Sequence, residues 1–166
     1  MTTYVLVHGA WHGGWCWKKT APLLRAAGAD VFTPTLTGLG ERAHLNDRIN
    51  PSEITVDVHI QDIVQVIEYE DLEQVVLVGH AYAGMVITGV AEVCPERLAH
   101  LVYVNGVVPR DGEAMVDQLE AVHHHAVPQP RPALPVDVVL ADLARKPVRH
   151  RQLLDRSPRK AAEHRV

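Results

Sequence analysis

The sequence predicts an α/β fold, a three-layer core built on a parallel sheet of at least four strands. Three observations carry this reading. Four short apolar runs, at residues 4–7, 31–33, 75–78 and 101–104, alternate with stretches of helical periodicity. That alternation is the pattern of right-handed crossovers between parallel strands, here with the order second-first-third-fourth. The run Val75-Val76-Leu77-Val78 breaks at Gly79 and restarts at once as an Ala- and Gly-rich helical pattern reaching Glu92. A turn so tight requires small side chains on both sides of its tip, and Gly79 and Ala83 supply them. Finally, 166 residues suit one domain, which buries about 70% of its unfolded surface.

Taken in order, Tyr4-Val5-Leu6-Val7 forms the first strand and leads into His8-Gly9-Ala10-Trp11-His12-Gly13-Gly14. A helix is predicted from about Trp15 to Ala27, with Leu23, Leu24 and Ala27 on one face and Gly28 as its stop. Val31-Phe32-Thr33 is the second strand, ended by Pro34. The following loop, from Thr35 to about Glu53, bends back at Gly38-Leu39-Gly40. Thr55 can cap the next helix, with Asp57 in its first turn and Ile60, Ile63, Val64 and Ile67 as its buried stripe. The elbow strand and helix come next and close at Cys94-Pro95-Glu96. Leu101-Val102-Tyr103-Val104 is the fourth strand, ended by Asn105-Gly106. An amphipathic helical pattern returns over 111–122.

Composition changes after residue 122. Residues 1–122 hold 7 Lys/Arg against 16 Asp/Glu, whereas residues 123–166 hold 9 against 4 and 6 of the 11 prolines. The chain therefore divides into a packed core, 1–122, and a Pro/Arg/His-rich tail, 123–166, partly helical or disordered. The bias of this tail also resembles a GC-rich gene read out of frame. His123-His124-His125 point in different directions and cannot close a tetrahedral site, so no metal is expected. The basic end lacks interleaved aromatics and the remainder is acidic, which argues against a nucleic-acid partner. Cys16 and Cys94 are too few for a disulfide framework. With no apolar run of about 18 residues and no signal-like start, the reading is cytoplasmic, without a membrane partner.

The turn at 79–84 is the G-x-S-x-G elbow in outline, in which a strained tip residue lifts a nucleophile above the sheet. Here it reads Gly79-His80-Ala81-Tyr82-Ala83-Gly84, so Ala81 occupies the nucleophile position where serine is replaced. Acyl transfer also requires fixed N–H donors for the developing oxyanion. In sites of this type they come from the residue after the nucleophile and from a glycine-rich loop, which here means the backbone of Tyr82 and Ala10. A dinucleotide site in that loop is disfavoured, because the spacing is not G-x-G-x-x-G. Trp11 would also block the pyrophosphate, and no acid ends the second strand. No cofactor is expected.

These residues carry a resemblance. Val5-Leu6-Val7-His8-Gly9-Ala10-Trp11-His12-Gly13-Gly14-Trp15-Cys16-Trp17 is similar to the opening of the α/β-hydrolase group that contains plant methylesterases and hydroxynitrile lyases. It most resembles the bacterial esterase-like members. Thr35-Leu36-Thr37-Gly38-Leu39-Gly40-Glu41-Arg42, Pro95-Glu96-Arg97 and Leu101-Val102-Tyr103 extend it, from about residue 4 to 120. The resemblance implies an α/β-hydrolase core, C-terminally truncated, of carboxylic-ester hydrolase lineage acting on small or methyl esters. The family elbow is Gly-His-Ser-Tyr-Gly-Gly, and this chain departs from it at Ala81 and Ala83. It also has no counterpart of the family's acid and histidine segments.

Ester hydrolysis is therefore not expected from the chain as written. Its two serines, Ser52 and Ser157, do not sit at a strand-to-helix turn, and Cys16 reads as packing rather than as a reactive thiol. Two further readings stand beside it. One is a non-catalytic domain that binds a small ester or aromatic ligand in a pocket lined by Trp11, His12 and His80, with Tyr82 beside them. The other is a serine-independent lyase or dioxygenase-like use of that pocket, with His80 or His12 as base. A sheet cut short leaves an open edge, through which self-association is expected.

Overall fold

The computed structural model describes residues 1–108, 110 and 112. Apart from Gly112, the helical pattern over 111–122 lies outside the described residues, and so do the tail 123–166, the His123–His125 trio and Ser157. The elements are β1 (Thr3–Val7), α1 (Ala21–Ala26), β2 (Asp30–Phe32), α2 (Val56–Tyr69), β3 (Val75–His80), α3 (Ala83–Val93) and β4 (Leu98–Val104). The four strands are all parallel in the order β2-β1-β3-β4, as the sequence predicts.

Alternation along the strands builds two cores. Val5, Val7 and Leu77 face α2 and α3 and pack with Ile60, Ile63, Ile67, Val86 and Val90. Leu6, Val31 and Val78 point the other way and pack with Ala21 of α1, Trp17 and Leu24. Helices thus cover both faces of the sheet, which gives the three layers. At the β4 edge, Val102 and Val104 remain 39% and 41% exposed.

Helix α2 matches its sequence signals closely. The Thr55 hydroxyl accepts from the Val58 amide at 3.4 Å, and the stripe Ile60, Ile63, Val64 and Ile67 is fully buried. Gly89 allows α3 to lie against it, since a Cβ there would come within 2.2 Å of Ile60 Cδ1.

Two local expectations are corrected. The single helix over Trp15–Ala27 is a 3-10 turn, Gly14–Trp17, followed by the short α1, because Pro22 starts a new helix in its first turn. Leu23 lies on the solvent side of α1, 71% exposed, rather than on a buried face. Gly28 does end α1, at φ +85°. The Thr35–Glu53 loop contains two 3-10 segments, Gly40–Asp47 and Pro51–Glu53.

Candidate active site

The site grows from the end of β3. Ala81 is held at φ +51°, a left-handed conformation uncommon for a residue with a Cβ. Such a conformation persists only where its surroundings fix it. Here the Ala81 N–H donates to Val104 O at 3.2 Å, and Ala81 O accepts from the Gly84 and Val107 amides at 3.0 Å each. Small residues are needed around the tip for steric reasons. A Cβ on Gly79 would fall 2.7 Å from Ala83 O, and one on Gly84 would fall 2.2 Å from Val107 O.

The loop after β1 passes beside this tip. A Cβ on Gly9 would lie 3.1 Å from Ala81 Cβ and 2.9 Å from His80 Nδ1. Among the described residues, neither the Ala10 amide nor the Tyr82 amide donates a hydrogen bond. Main-chain N–H groups without a partner are the kind of donor that a tetrahedral oxyanion requires.

The loop is secured from below. His8 is fully buried; its Nδ1–H donates to Gly9 O at 2.8 Å and its Nε2 accepts from the Leu36 amide at 3.0 Å. Burial lowers its pKa, which keeps the ring neutral. The Gly14 amide donates to Thr35 Oγ1 at 2.8 Å, whose hydroxyl in turn donates to Glu41 Oε1 at 2.6 Å. That hydroxyl lowers the Glu41 pKa.

The residues singled out from sequence divide into two groups. His12 and His80 are half-buried neighbours, with ring centroids 5.8 Å apart and edge to face. The His80 ring also meets Trp17 edge-on at 6.4 Å. His12 Nδ1–H donates to Ala10 O at 2.8 Å, which leaves the lone pair on Nε2. Trp11, at φ +59°, is 59% exposed. The side chain of Tyr82, by contrast, does not line a pocket. It is 2% exposed and packs into the core, with its hydroxyl on His59 of α2. Cys16 is half-buried and burial raises its pKa, which disfavours the thiolate. Ser52 lies in the exposed 3-10 turn ahead of α2.

Sequence reasoning missed His8, His59 and Asp62. His59 had a readable signal, since its spacing from Val56, Ile60 and Ile63 places it on the buried stripe of α2. Among the described residues, no group of three or more His, Cys, Asp or Glu is placed to hold a metal ion. No helix among them is long and apolar enough to cross a membrane.

The chain is similar to known proteins. The profile of the alpha/beta hydrolase family matches residues 4–165, past the point where the motif resemblance stops. The chain is 50% identical over 116 residues to a carbendazim hydrolyzing esterase of Nocardioides sp., covering 70% of this chain and 46% of that protein. It is 33% identical over 107 residues to the alpha-hydroxynitrile lyase of Arabidopsis thaliana, covering 64% and 40%. An extracellular alpha/beta-hydrolase from a Paenibacillus species superposes with a TM-score of 0.64 at 30% identity, over 75% of this chain and 49% of that one. The chain thus spans about half the length of the relatives it matches, or slightly less.

Proposed function

The chain belongs to the alpha/beta hydrolase family, and from that membership we propose that its site binds small carboxylic or methyl esters without hydrolysing them. The esterase among its relatives supports the substrate class. One observation carries the rest. Ala81 stands at φ +51° on the elbow tip, and among the described residues neither the Ala10 nor the Tyr82 amide donates a hydrogen bond, which supports this reading. The tip is shaped for a nucleophile, and its methyl group cannot attack a carbonyl. Removing the nucleophile from such a site costs on the order of 10⁶ in turnover and leaves only binding and oxyanion stabilisation.

A second reading draws on His12, which donates Nδ1–H to Ala10 O and lies beside His80, so that Nε2 is the ring nitrogen left to take a proton. It would favour proton abstraction from a bound ligand, as a lyase requires.

A ¹H–¹⁵N titration of the full chain with phenylphosphonate, a tetrahedral anion, tests the binding reading. Saturable shifts of the Ala10 and Tyr82 amide signals are the expected result. Shifts confined to other residues, or none, would overturn it. Carbendazim, which the Nocardioides relative is named for hydrolysing, is the neutral ligand to try beside it.

A further inference from the structure

Beneath the tip lies a closed polar chain that the oxyanion geometry does not itself require. His59, on α2 and 0% exposed, places Nε2 2.8 Å from Thr37 O and Nδ1 2.9 Å from the Tyr82 hydroxyl. The Thr37 carbonyl can only accept, so the ring proton resides on Nε2. Nδ1 is then the acceptor, and the Tyr82 hydroxyl donates to it. The two rings meet edge to face, with centroids 5.7 Å apart.

Thr37 is gripped from its other side by Asp62, one turn further along α2. The Thr37 amide donates to Asp62 Oδ2 at 2.6 Å and its hydroxyl to Oδ1 at 2.8 Å. Arg42 reaches that carboxylate at 3.4 Å and donates to Thr35 O at 2.8 Å. The chain Asp62–Thr37–His59–Tyr82 therefore runs from the 33–42 loop through α2 to the residue next after Ala81. Each polar partner in it is satisfied, which makes it stiff.

We propose that His59 is a positioning residue of this site: pinned by Thr37 O, it holds the Tyr82 phenol and, together with the main-chain bonds on Ala81 O, sets the direction of the Tyr82 main-chain amide. This rests on the reading of that amide as an oxyanion donor. The Ala81–Tyr82 peptide is planar and is held at its carbonyl by the Gly84 and Val107 amides, and the Tyr82 side chain holds its other end. The Tyr82 phenol is anchored at both ends, by its ring in the core and by its hydroxyl on His59. Truncating the hydroxyl removes one anchor without opening a cavity.

Residual dipolar couplings of the position-82 N–H in the full chain test this directly. The coupling is expected to change in Tyr82→Phe and His59→Leu while those of Val5 and Leu77 stay fixed. His59→Gln, whose amide can donate to Thr37 O and accept from Tyr82, is expected to restore it. Phenylphosphonate affinity should fall about tenfold in Tyr82→Phe, the worth of one buried hydrogen bond, with the Ala10 signal still responding. An unchanged coupling in folded Tyr82→Phe and His59→Leu would overturn the proposal. If those variants do not fold, imidazole ¹⁵N spectra of the unsubstituted chain decide. A neutral ring protonated on Nε2 supports the proposal, and an Nδ1–H or doubly protonated ring ends it. Failure of the unsubstituted chain to bind phenylphosphonate counts against the ester reading alone, because the coupling reports position 82 without ligand.

Discussion

Gly84→Ala is expected to destabilise the chain by about 3 kcal/mol, at the upper end of what one added methyl group costs in a packed site. The new Cβ would fall 2.2 Å from Val107 O and 2.8 Å from Val107 N. Both are main-chain atoms, so no rotamer change relieves the clash. Val107 also donates to Ala81 O, so any backbone retreat loosens the elbow tip as well. Gly28→Ala provides the control. Gly28 sits at φ +85° with nothing within 4 Å of an added Cβ, so only backbone strain of about 1–2 kcal/mol applies. Urea denaturation separates the two through their midpoints. A Gly84→Ala midpoint equal to or above that of Gly28→Ala would show that the close approach of α3 to residue 107 is wrong.

Stability is expected to fall as pH drops from 7.5 to 5.5, by up to about 3 kcal/mol. His8 and His59 carry this effect. Both are fully buried, and burial lowers their pKa values from the ordinary 6.5. Glu41 partly opposes the shift at His8, and Asp62 opposes it at His59, while Arg42 adds to it there. For a base with a depressed folded pKa, both states are neutral above pH 6.5 and stability is unaffected. Below that, the unfolded chain binds protons that the folded chain refuses, at about 1.4 kcal/mol per pH unit for each group. The loss begins near pH 6.5 and continues down to the folded pKa values. His59→Gln should roughly halve the slope. A flat stability profile over this window would mean that the two rings are not held neutral.

Much of the fold is legible in the sequence because its signals are local. The Thr55 cap, the Ile60–Ile67 stripe and the small residues around Ala81 each act within one or two turns of chain. The strand order comes from the crossover rule and the alternation of elements. The errors have equally definite causes. Thr20-Ala21-Pro22 marks a helix start, and a periodicity read across it merges two segments into one helix. The β4 strand begins at Leu98 rather than Leu101, because its outer face tolerates His100 and disguises the apolar run. At the site, the elbow turn can be placed by motif alone. The support beneath cannot. His8 meets Leu36 across 28 residues and His59 meets Tyr82 across 23, pairings that no short pattern encodes. The pocket-side expectation for Tyr82 fails for a related reason, since the position after a strained tip does not reveal whether its ring turns to solvent or to the core.

The most direct test of the central claim is exposure of the purified chain and its Ala81→Ser variant to p-nitrophenyl acetate, with turnover followed by absorbance and acetylated sites located by mass spectrometry. No turnover above buffer is expected from the unsubstituted chain. In the variant, acetylation at position 81 is expected to be at least about a hundredfold faster than at Ser52, the contribution of one or more positioned oxyanion donors. Turnover by the unsubstituted chain, or acetylation of the variant at Cys16, His12 or His80 in preference to position 81, would contradict the claim.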